Sequence, residues 1–283
     1  MRLRSLLFVP GDRPERMEKA AGLGADALIL DLEDAVAPGN KAAARAAVRA
    51  FVASSPAGPA LFVRVNPLDS AFVADDLAAL AGLPLAGVVL PKAEGQASVA
   101  ALTARLAGDY RILPIASETA RAVFTLGSYD GARLAGLTWG AEDLPAAIGA
   151  TASREPDGGY TDPYRVVRAL TLFGAHAAGV PAIETVYPDF RDLAGLAAYA
   201  ARGRRDGFTG MMAIHPAQVP VINAAFTPSD AEVAHARAVA AAFAANPGAG
   251  VLQLDGRMID APHLKAAQRL LALRDQPDPA ERP

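Results

Sequence analysis

The chain contains no cysteine, which excludes disulfides, thiolate metal sites and a cysteine nucleophile. It also lacks any stretch approaching the roughly 20 apolar residues of a membrane-spanning helix. Its Ala-rich stretches carry Arg, Asp, Glu or His at helical spacing and read as amphipathic. The apolar run near the start, residues 6–9, is too short for the core of a signal peptide, and Gly11-Asp12-Arg13 follows directly. No long run of Lys or Arg occurs, and a net charge of −3 with a sequence pI near 5.8 argues against a nucleic-acid-binding surface. A local basic pocket for a phosphorylated ligand stays open, because net charge says nothing about local patches. These absences describe a soluble, cytoplasmic protein with neither nucleic acid nor membrane as partner.

What is present is abundant apolar material in a regular order. The 283 residues are 52% hydrophobic, ample for a buried core. Eight short apolar runs lie at residues 6–9, 27–32, 61–65, 87–90, 111–116, 134–139, 181–185 and 211–214, and most are nearly continuous in Val, Ile and Leu. That is the pattern of parallel strands covered on both faces. Between them lie helix candidates at 14–21, 41–53, 72–81, 98–107, 118–126, 143–150, 163–178, 192–202 and 216–224. Strict strand–helix alternation implies parallel strands with right-handed crossovers. Eight such units favour a closed (β/α)8 barrel over an open doubly wound sheet, and the length suits a barrel of about 250 residues plus an extension. Residues 151–162 read as an enlarged polar loop after the sixth strand. Beyond residue 224 the pattern changes to a helix at 229–245, a short strand at 251–254 and a last helix at 262–273. The expected division is a barrel over 1–224, a C-terminal helical extension over 225–273 and a disordered tail over 274–283.

In such a barrel the chemistry sits at the C-terminal ends of the strands. Glu118 and Asp143 fall there, one strand–helix unit apart, on strands about 4.8 Å from one another. Two carboxylates that close repel unless a proton or a cation intervenes, and oxygen ligands with open positions suit Mg2+. The alternative is that each caps the helix it precedes. Arg64, inside an otherwise apolar strand, needs a partner. A bound carboxylate suits its planar fork, and so does a structural ion pair with Asp31, Glu33 or Asp34. The acidic group Asp31, Glu33 and Asp34 supplies either ligands or groups that orient Arg64, Lys92 or metal-bound water. Lys92 either offsets those acids or contacts substrate. His215 is a candidate general base or a hydrogen-bonded group that shapes its strand end, whereas His176, His235 and His263 lie on helical stretches. Gly11, Arg13 and Arg16 join the first strand to its helix and resemble a phosphate site.

Several strings acquire meaning together. Arg4-Ser5-Leu6-Leu7-Phe8-Val9-Pro10-Gly11 opens the chain. Leu30-Asp31-Leu32-Glu33-Asp34-Ala35-Val36-Ala37-Pro38 follows, with Lys41 and Arg45 behind it. Then come Val63-Arg64-Val65-Asn66, Leu90-Pro91-Lys92, Glu118-Thr119, Trp139-Gly140-Ala141-Glu142-Asp143-Leu144 and Ala213-Ile214-His215-Pro216-Ala217-Gln218. In order and spacing, from residue 2 to about 272, the chain resembles the citrate lyase β-subunit family, grouped with malyl-CoA, β-methylmalyl-CoA and citramalyl-CoA lyases among the (β/α)8 aldolases. The resemblance implies Mg2+ held by Glu118 and Asp143, and a 2-oxo acid carboxylate held by Arg64 with Glu33, Asp34 and Lys92 around it. It implies retro-Claisen cleavage of a 3-hydroxyacyl thioester into an acetyl thioester and a 2-oxo acid, oxaloacetate among the candidates. Arg13, Arg16 and Lys19 would contact the phosphates of a coenzyme A thioester.

The string Met258-Ile259-Asp260-Ala261-Pro262 matches a C-terminal segment that, in relatives, swings over a neighbouring subunit's site and offers an acid/base aspartate, here Asp260. A homotrimer or hexamer would follow. Read by itself, Asp260 is a helix N-cap. One departure is Met211 in Phe208-Thr209-Gly210-Met211-Met212, where relatives often carry lysine, a difference that bears on how the acyl carrier is bound. Two further readings remain: a β-subunit of a multi-chain citrate lyase that needs an acyl carrier protein, and a barrel that binds an oxo acid without turnover.

Overall fold

The computed structural model describes residues 1–54 and 58–274. Eight parallel strands form one sheet: β1 (Ser5–Pro10), β2 (Ala27–Asp31), β3 (Ala60–Arg64), β4 (Gly87–Leu90), β5 (Arg111–Pro114), β6 (Leu137–Thr138), β7 (Ala182–Glu184) and β8 (Gly210–Ala213). The order β5-β4-β3-β2-β1-β8-β7-β6 is that of a barrel cut at one seam. The seam is closed by parallel bridges Ile112↔Leu134 and Ile115↔Thr138, with Ala135 N–H donating to Ile112 O at 2.8 Å and Ala116 N–H to Thr138 O at 2.9 Å. The chain is therefore the expected (β/α)8 barrel. Its sixth strand is shorter than the apolar run at 134–139, because residues 134–136 pair only through those seam contacts.

Alternation along the strands sorts the side chains into two buried sets. Leu6, Ala27, Ile29, Phe62, Val89, Leu113, Ile183 and Met212 fill the barrel. Leu7, Val9, Leu28, Leu30, Val63, Val88, Ile112 and Met211 face the surrounding helices. Met211 is thus fully buried beneath the helix layer. Whatever a lysine does at that position in relatives, the side chain here points away from the barrel interior. Between β6, β7 and the helices stands buried Glu184. Its Oε1 accepts from Trp139 Nε1 at 2.6 Å and Tyr199 OH at 2.9 Å, and its Oε2 from Arg168 Nε at 2.6 Å. An ionised group so deep is tolerable only when paired and hydrogen-bonded.

The helices Pro14–Ala21 and Lys41–Ala53 match the sequence expectation. The loop at 151–161 is more ordered than its composition suggests: Arg154 and Tyr160 form an antiparallel bridge, and the guanidinium stacks 4.0 Å above the Tyr160 ring. After the barrel, the helix Asp230–Ala245 starts with a capping box of Ser229 and Glu232. The structure corrects the sequence reading at Arg257–Asp260, which is a strand, β10, pairing antiparallel with β9 (Val251–Leu254). Its turn is Asp255-Gly256, with φ of 49° and 75°, the double positive φ of a type I′ hairpin. Hairpin and flanking helices share a small core of their own around Ala236, Val239, Ile259 and Ala267. The tail from residue 275 onward lies outside the described residues. No helix among the described residues is long and apolar enough to cross a membrane.

Candidate active site

The C-terminal ends of β1, β2, β3, β7 and β8, with the segments after β5 and β6, enclose a cavity of about 420 Å3 lined by Phe8, Asp31, Asp34, Arg64, Glu118, Asp143 and Thr185, among others. A cavity of about 390 Å3 at the opposite end is lined by Arg2, Arg4 and Arg274 with apolar neighbours, and no carboxylate appears among its described walls.

Strand register builds the centre. Asp31 and Arg64 are paired positions on β2 and β3, so period-2 alternation turns both inward above Ile29 and Phe62. Arg64 Nε donates to Asp31 Oδ1 at 2.7 Å and Nη2 to Oδ2 at 2.6 Å. Its Nη1 stands 2.9 Å from Glu33 Oε2, an ion pair without hydrogen-bond alignment, since that oxygen has no hydrogen-bond partner. The guanidinium lies 4.8 Å from the centre of the Phe8 ring. Burial alone would pull the Arg64 pKa down, but Asp31 and Glu33 outweigh it and raise it. The ion-pair reading of Arg64 is therefore realised, and the side chain lines the cavity as well.

Glu33 connects this pair to the next. Lys92 Nζ lies 3.0 Å from Glu33 Oε1 and 3.2 Å from Asp143 Oδ1, while the Lys92 backbone N–H donates to Glu118 Oε2 at 2.6 Å. Lys92 adopts φ of 50°, a left-handed conformation that costs a non-glycine residue roughly 1–2 kcal/mol. Burial, the largest influence, would lower the Lys92 pKa; Glu33, Glu118 and Asp143 together raise it. The loop after β2 that carries Glu33 is fixed from behind: buried Lys41 donates to Leu32 O at 2.6 Å and Glu33 O at 2.7 Å. Asp34 is exposed on the cavity rim.

Neither Glu118 nor Asp143 serves as a helix cap. Thr119 caps the helix Ala120–Val123 with its own hydroxyl, and Asp143 precedes Leu144–Ile148 without a side-chain capping bond. Glu118 instead runs under Gly140, where a Cβ would stand 2.7 Å from Glu118 Cγ. Its side chain is 4% exposed. Burial pushes its pKa up to about 8, the Lys92 N–H opposes this, and the charges of Asp143 and Glu33 add to it. Acidic side chains outnumber basic ones here: Asp31, Asp34, Glu118, Glu142 and Asp143 line the cavity with Arg64, while Lys92 bridges Glu33 and Asp143, and a cation would offset the surplus of negative charge. No group of three or more His, Asp or Glu side chains forms a full metal cage among the described residues. Two carboxylates with open positions are the donor set that Mg2+ accepts, with waters and substrate oxygens completing its shell.

Of the other sequence candidates, Arg16 and Lys19 line an adjoining cavity of about 370 Å3 that shares Phe8, Pro10 and Ile214 with the first. Arg13 does not line it and lies 3.7 Å from Asp12. His215 also faces this second cavity. Its ring stacks on Phe190 at 4.8 Å and its Nδ1 accepts from Ala217 N–H at 3.2 Å, the strand-end role. Asp260 ends β10, where its carboxylate pairs with His263 Nδ1 at 2.5 Å, and it is not among the residues lining the first cavity. Phe8, Gly140 and Thr185 escaped the sequence reading, since an apolar residue, a glycine and a threonine in strand ends carry no signal until the walls are assembled.

The family profile described as HpcH/HpaI aldolase/citrate lyase matches residues 4–216. A citrate lyase subunit beta-like protein of Mycobacterium tuberculosis is 42% identical over 94% of this chain and 93% of its own length. The (3S)-malyl-CoA thioesterase of Cereibacter sphaeroides is 36% identical over 95% and 93%. Among solved structures, protein CitE of M. tuberculosis in complex with magnesium, acetoacetate and coenzyme A superposes with a TM-score of 0.83 at 38% identity, over 96% of this chain and 98% of that one.

Proposed function

The chain belongs to the HpcH/HpaI aldolase/citrate lyase family, and from that premise we propose that it is a magnesium-dependent carbon–carbon lyase. It cleaves a 3-hydroxyacyl thioester of citryl, citramalyl or malyl type into an acetyl thioester and a 2-oxo acid. The observation that carries this reading is the buried Glu118 carboxyl beside Asp143, facing Arg64 across one cavity. The magnesium and coenzyme A of the M. tuberculosis structure support it.

Glu118 and Asp143 would hold Mg2+, which when bound supplies Lewis acidity at the substrate's hydroxyl or keto oxygen. Arg64 binds the carboxylate of the 2-oxo acid. Asp31 occupies the Nε–Nη2 edge and fixes the plane of the fork, leaving other N–H groups for the ligand. Glu33, Asp34 and Lys92 shape the rest of the oxo-acid site. Cleavage breaks the bond between the hydroxyl-bearing carbon and the thioester α-carbon. The hydroxyl releases its proton to solvent as its oxygen becomes the carbonyl of the 2-oxo acid, the electron pair of the broken bond passes to the thioester enolate, and the enolate α-carbon then takes a proton. Asp260 of a second copy, once it has taken a proton from solvent, delivers it to that carbon; in the condensation direction the same group, whose ionised form the bond to His263 favours, removes the acetyl proton. On this reading the protein works as a homo-oligomer, and the family resemblance favours a trimer or paired trimers. The thioester arm runs along the adjoining cavity, with Arg16 and Lys19, and Arg13 on the same turn, near its phosphates. The barrel unit spans 1–224 and the extension 225–273.

The test is to incubate the purified chain and Mg2+ with citramalyl-CoA and malyl-CoA and to resolve the products. Acetyl-CoA with a 2-oxo acid is expected. Turnover only on carrier-protein thioesters would make it the β-subunit of a multi-chain enzyme. Free coenzyme A with the intact hydroxy acid would make it a thioesterase. Calorimetric binding of oxaloacetate with no turnover of any thioester would leave a binding barrel.

A further inference from the structure

Lys92 is where the two halves of the carboxylate pair meet. Its backbone N–H holds Glu118, and its ammonium reaches Asp143 and Glu33. Among the described residues only Lys92 and Asp255 have positive φ without being glycine. Asp255 sits in a hairpin turn, where chain reversal requires it. Lys92 follows a strand that does not reverse. A disfavoured conformation persists where its surroundings over-determine it, and here the backbone must face Glu118 while the side chain lies between two acids.

We propose that Lys92 is the placeholder of the cation site: its ammonium bridges Glu33 and Asp143 while no divalent ion is bound, and yields Asp143 when one arrives. The proposal rests on the magnesium reading above. Three features of the geometry support it. Asp143 and Lys92 are about one-third exposed, at 35% and 32%, so an incoming ion can reach their contact. The ammonium has somewhere to remain, because Glu33 stays anchored to Arg64 at 2.9 Å. The backbone bond to Glu118 is independent of the side chain, so one carboxylate keeps its orientation while the other changes partner. Lys92 is then a positioning residue that competes with the ion for Asp143 and sets the Mg2+ concentration at which the site fills. A residue that merely braces the two carboxylates would have the opposite effect when removed.

The experiment is calorimetric titration of Mg2+ into chelator-stripped wild type, Lys92→Met, Lys92→Gly and Lys92→Arg, with thermal melts of each in the metal-free state. Loss of a positive charge beside a divalent ion should tighten binding about tenfold in the Met and Gly variants. The metal-free melting temperature should fall in both, less in Lys92→Gly, which accepts positive φ. Lys92→Arg keeps the charge and should bind within about twofold of wild type. Unchanged or weaker Mg2+ binding in Met and Gly variants with wild-type circular dichroism would overturn the placeholder role and leave the magnesium reading standing. Should both variants fail to fold, tightened binding by a Lys92→Gln variant is required in their place. A wild type that binds no Mg2+ would overturn both.

Discussion

Asp31 and Arg64 occupy paired positions on neighbouring parallel strands, and the guanidinium meets the carboxylate through two N–H···O bonds of 2.7 and 2.6 Å. Removing the carboxylate leaves a largely buried arginine with Glu33 as its remaining ion-pair partner. Asp31→Ala should destabilise the protein by about 3–5 kcal/mol, measured by urea unfolding. In any folded fraction, KM for the oxo acid in the condensation direction should rise more than kcat falls, because the fork is no longer held in one plane.

Magnesium should stabilise the fold through the Glu118–Asp143 pair. At a free concentration about 100 times its Kd, a single site adds roughly 2.7 kcal/mol, visible as a rise in melting temperature over the chelator-treated protein. Glu118→Gln should remove that rise while remaining folded, since an amide suits a buried position better than a carboxylate whose charged form burial disfavours. An undiminished magnesium-dependent rise in the variant would place the ion elsewhere.

Gly140→Ala tests the space that Glu118 occupies. The added methyl would stand 2.7 Å from Glu118 Cγ, closer than van der Waals contact allows, so the carboxylate must move. Mg2+ affinity should drop by about tenfold or more, at a stability cost of roughly 1–3 kcal/mol. Calorimetry and thermal melts read the two effects separately.

The Glu184 centre is a stability determinant apart from the reacting groups. Glu184→Ala leaves the indole N–H of Trp139 without its acceptor and Arg168 with Asp206, at 2.8 Å, as its remaining ion-pair partner, and a loss of about 1–3 kcal/mol is expected. Trp139 is the only tryptophan in the chain, so its emission follows both the unfolding transition and any solvation of the indole in the native variant.

Asp260 in trans predicts complementation. Asp260→Asn and Glu118→Gln should each be inactive, and subunits unfolded together and refolded as a mixture should regain a measurable fraction of wild-type turnover, because some sites pair an intact cavity with an intact Asp260. A mixture as inactive as its parents would assign the proton transfer to a group within one protomer.

Much of the architecture was legible because it is written in local periodicity. Most strands of the barrel are short Val-, Ile- and Leu-rich runs, and the helices Pro14–Ala21 and Lys41–Ala53 fall on the expected residues. The β10 strand is less legible: Asp255-Gly256 between two short apolar segments is a hairpin signal, but the second segment is only four residues long and runs straight into a helix. Glu184 is illegible for a different reason. A lone acid at the end of an apolar run looks like many others, and only the convergence of Trp139, Tyr199 and Arg168 from three other segments shows why it is buried.

Local patterning is enough to set the strand–helix rhythm, and with it the polar residues that stand at strand ends, Arg64, Glu118 and Asp143 among them. Those properties depend on neighbours within a few residues, where the alternation of side chains along a strand is enough. Which groups meet depends on the assembled barrel: Arg64 is claimed by Asp31 rather than Asp34, Thr119 and not Glu118 caps its helix, and Lys92 stands between Glu33 and Asp143. These choices are made by register and barrel closure. They bring together groups far apart in the chain, at distances where a fraction of an ångström separates an ion pair from a solvated charge.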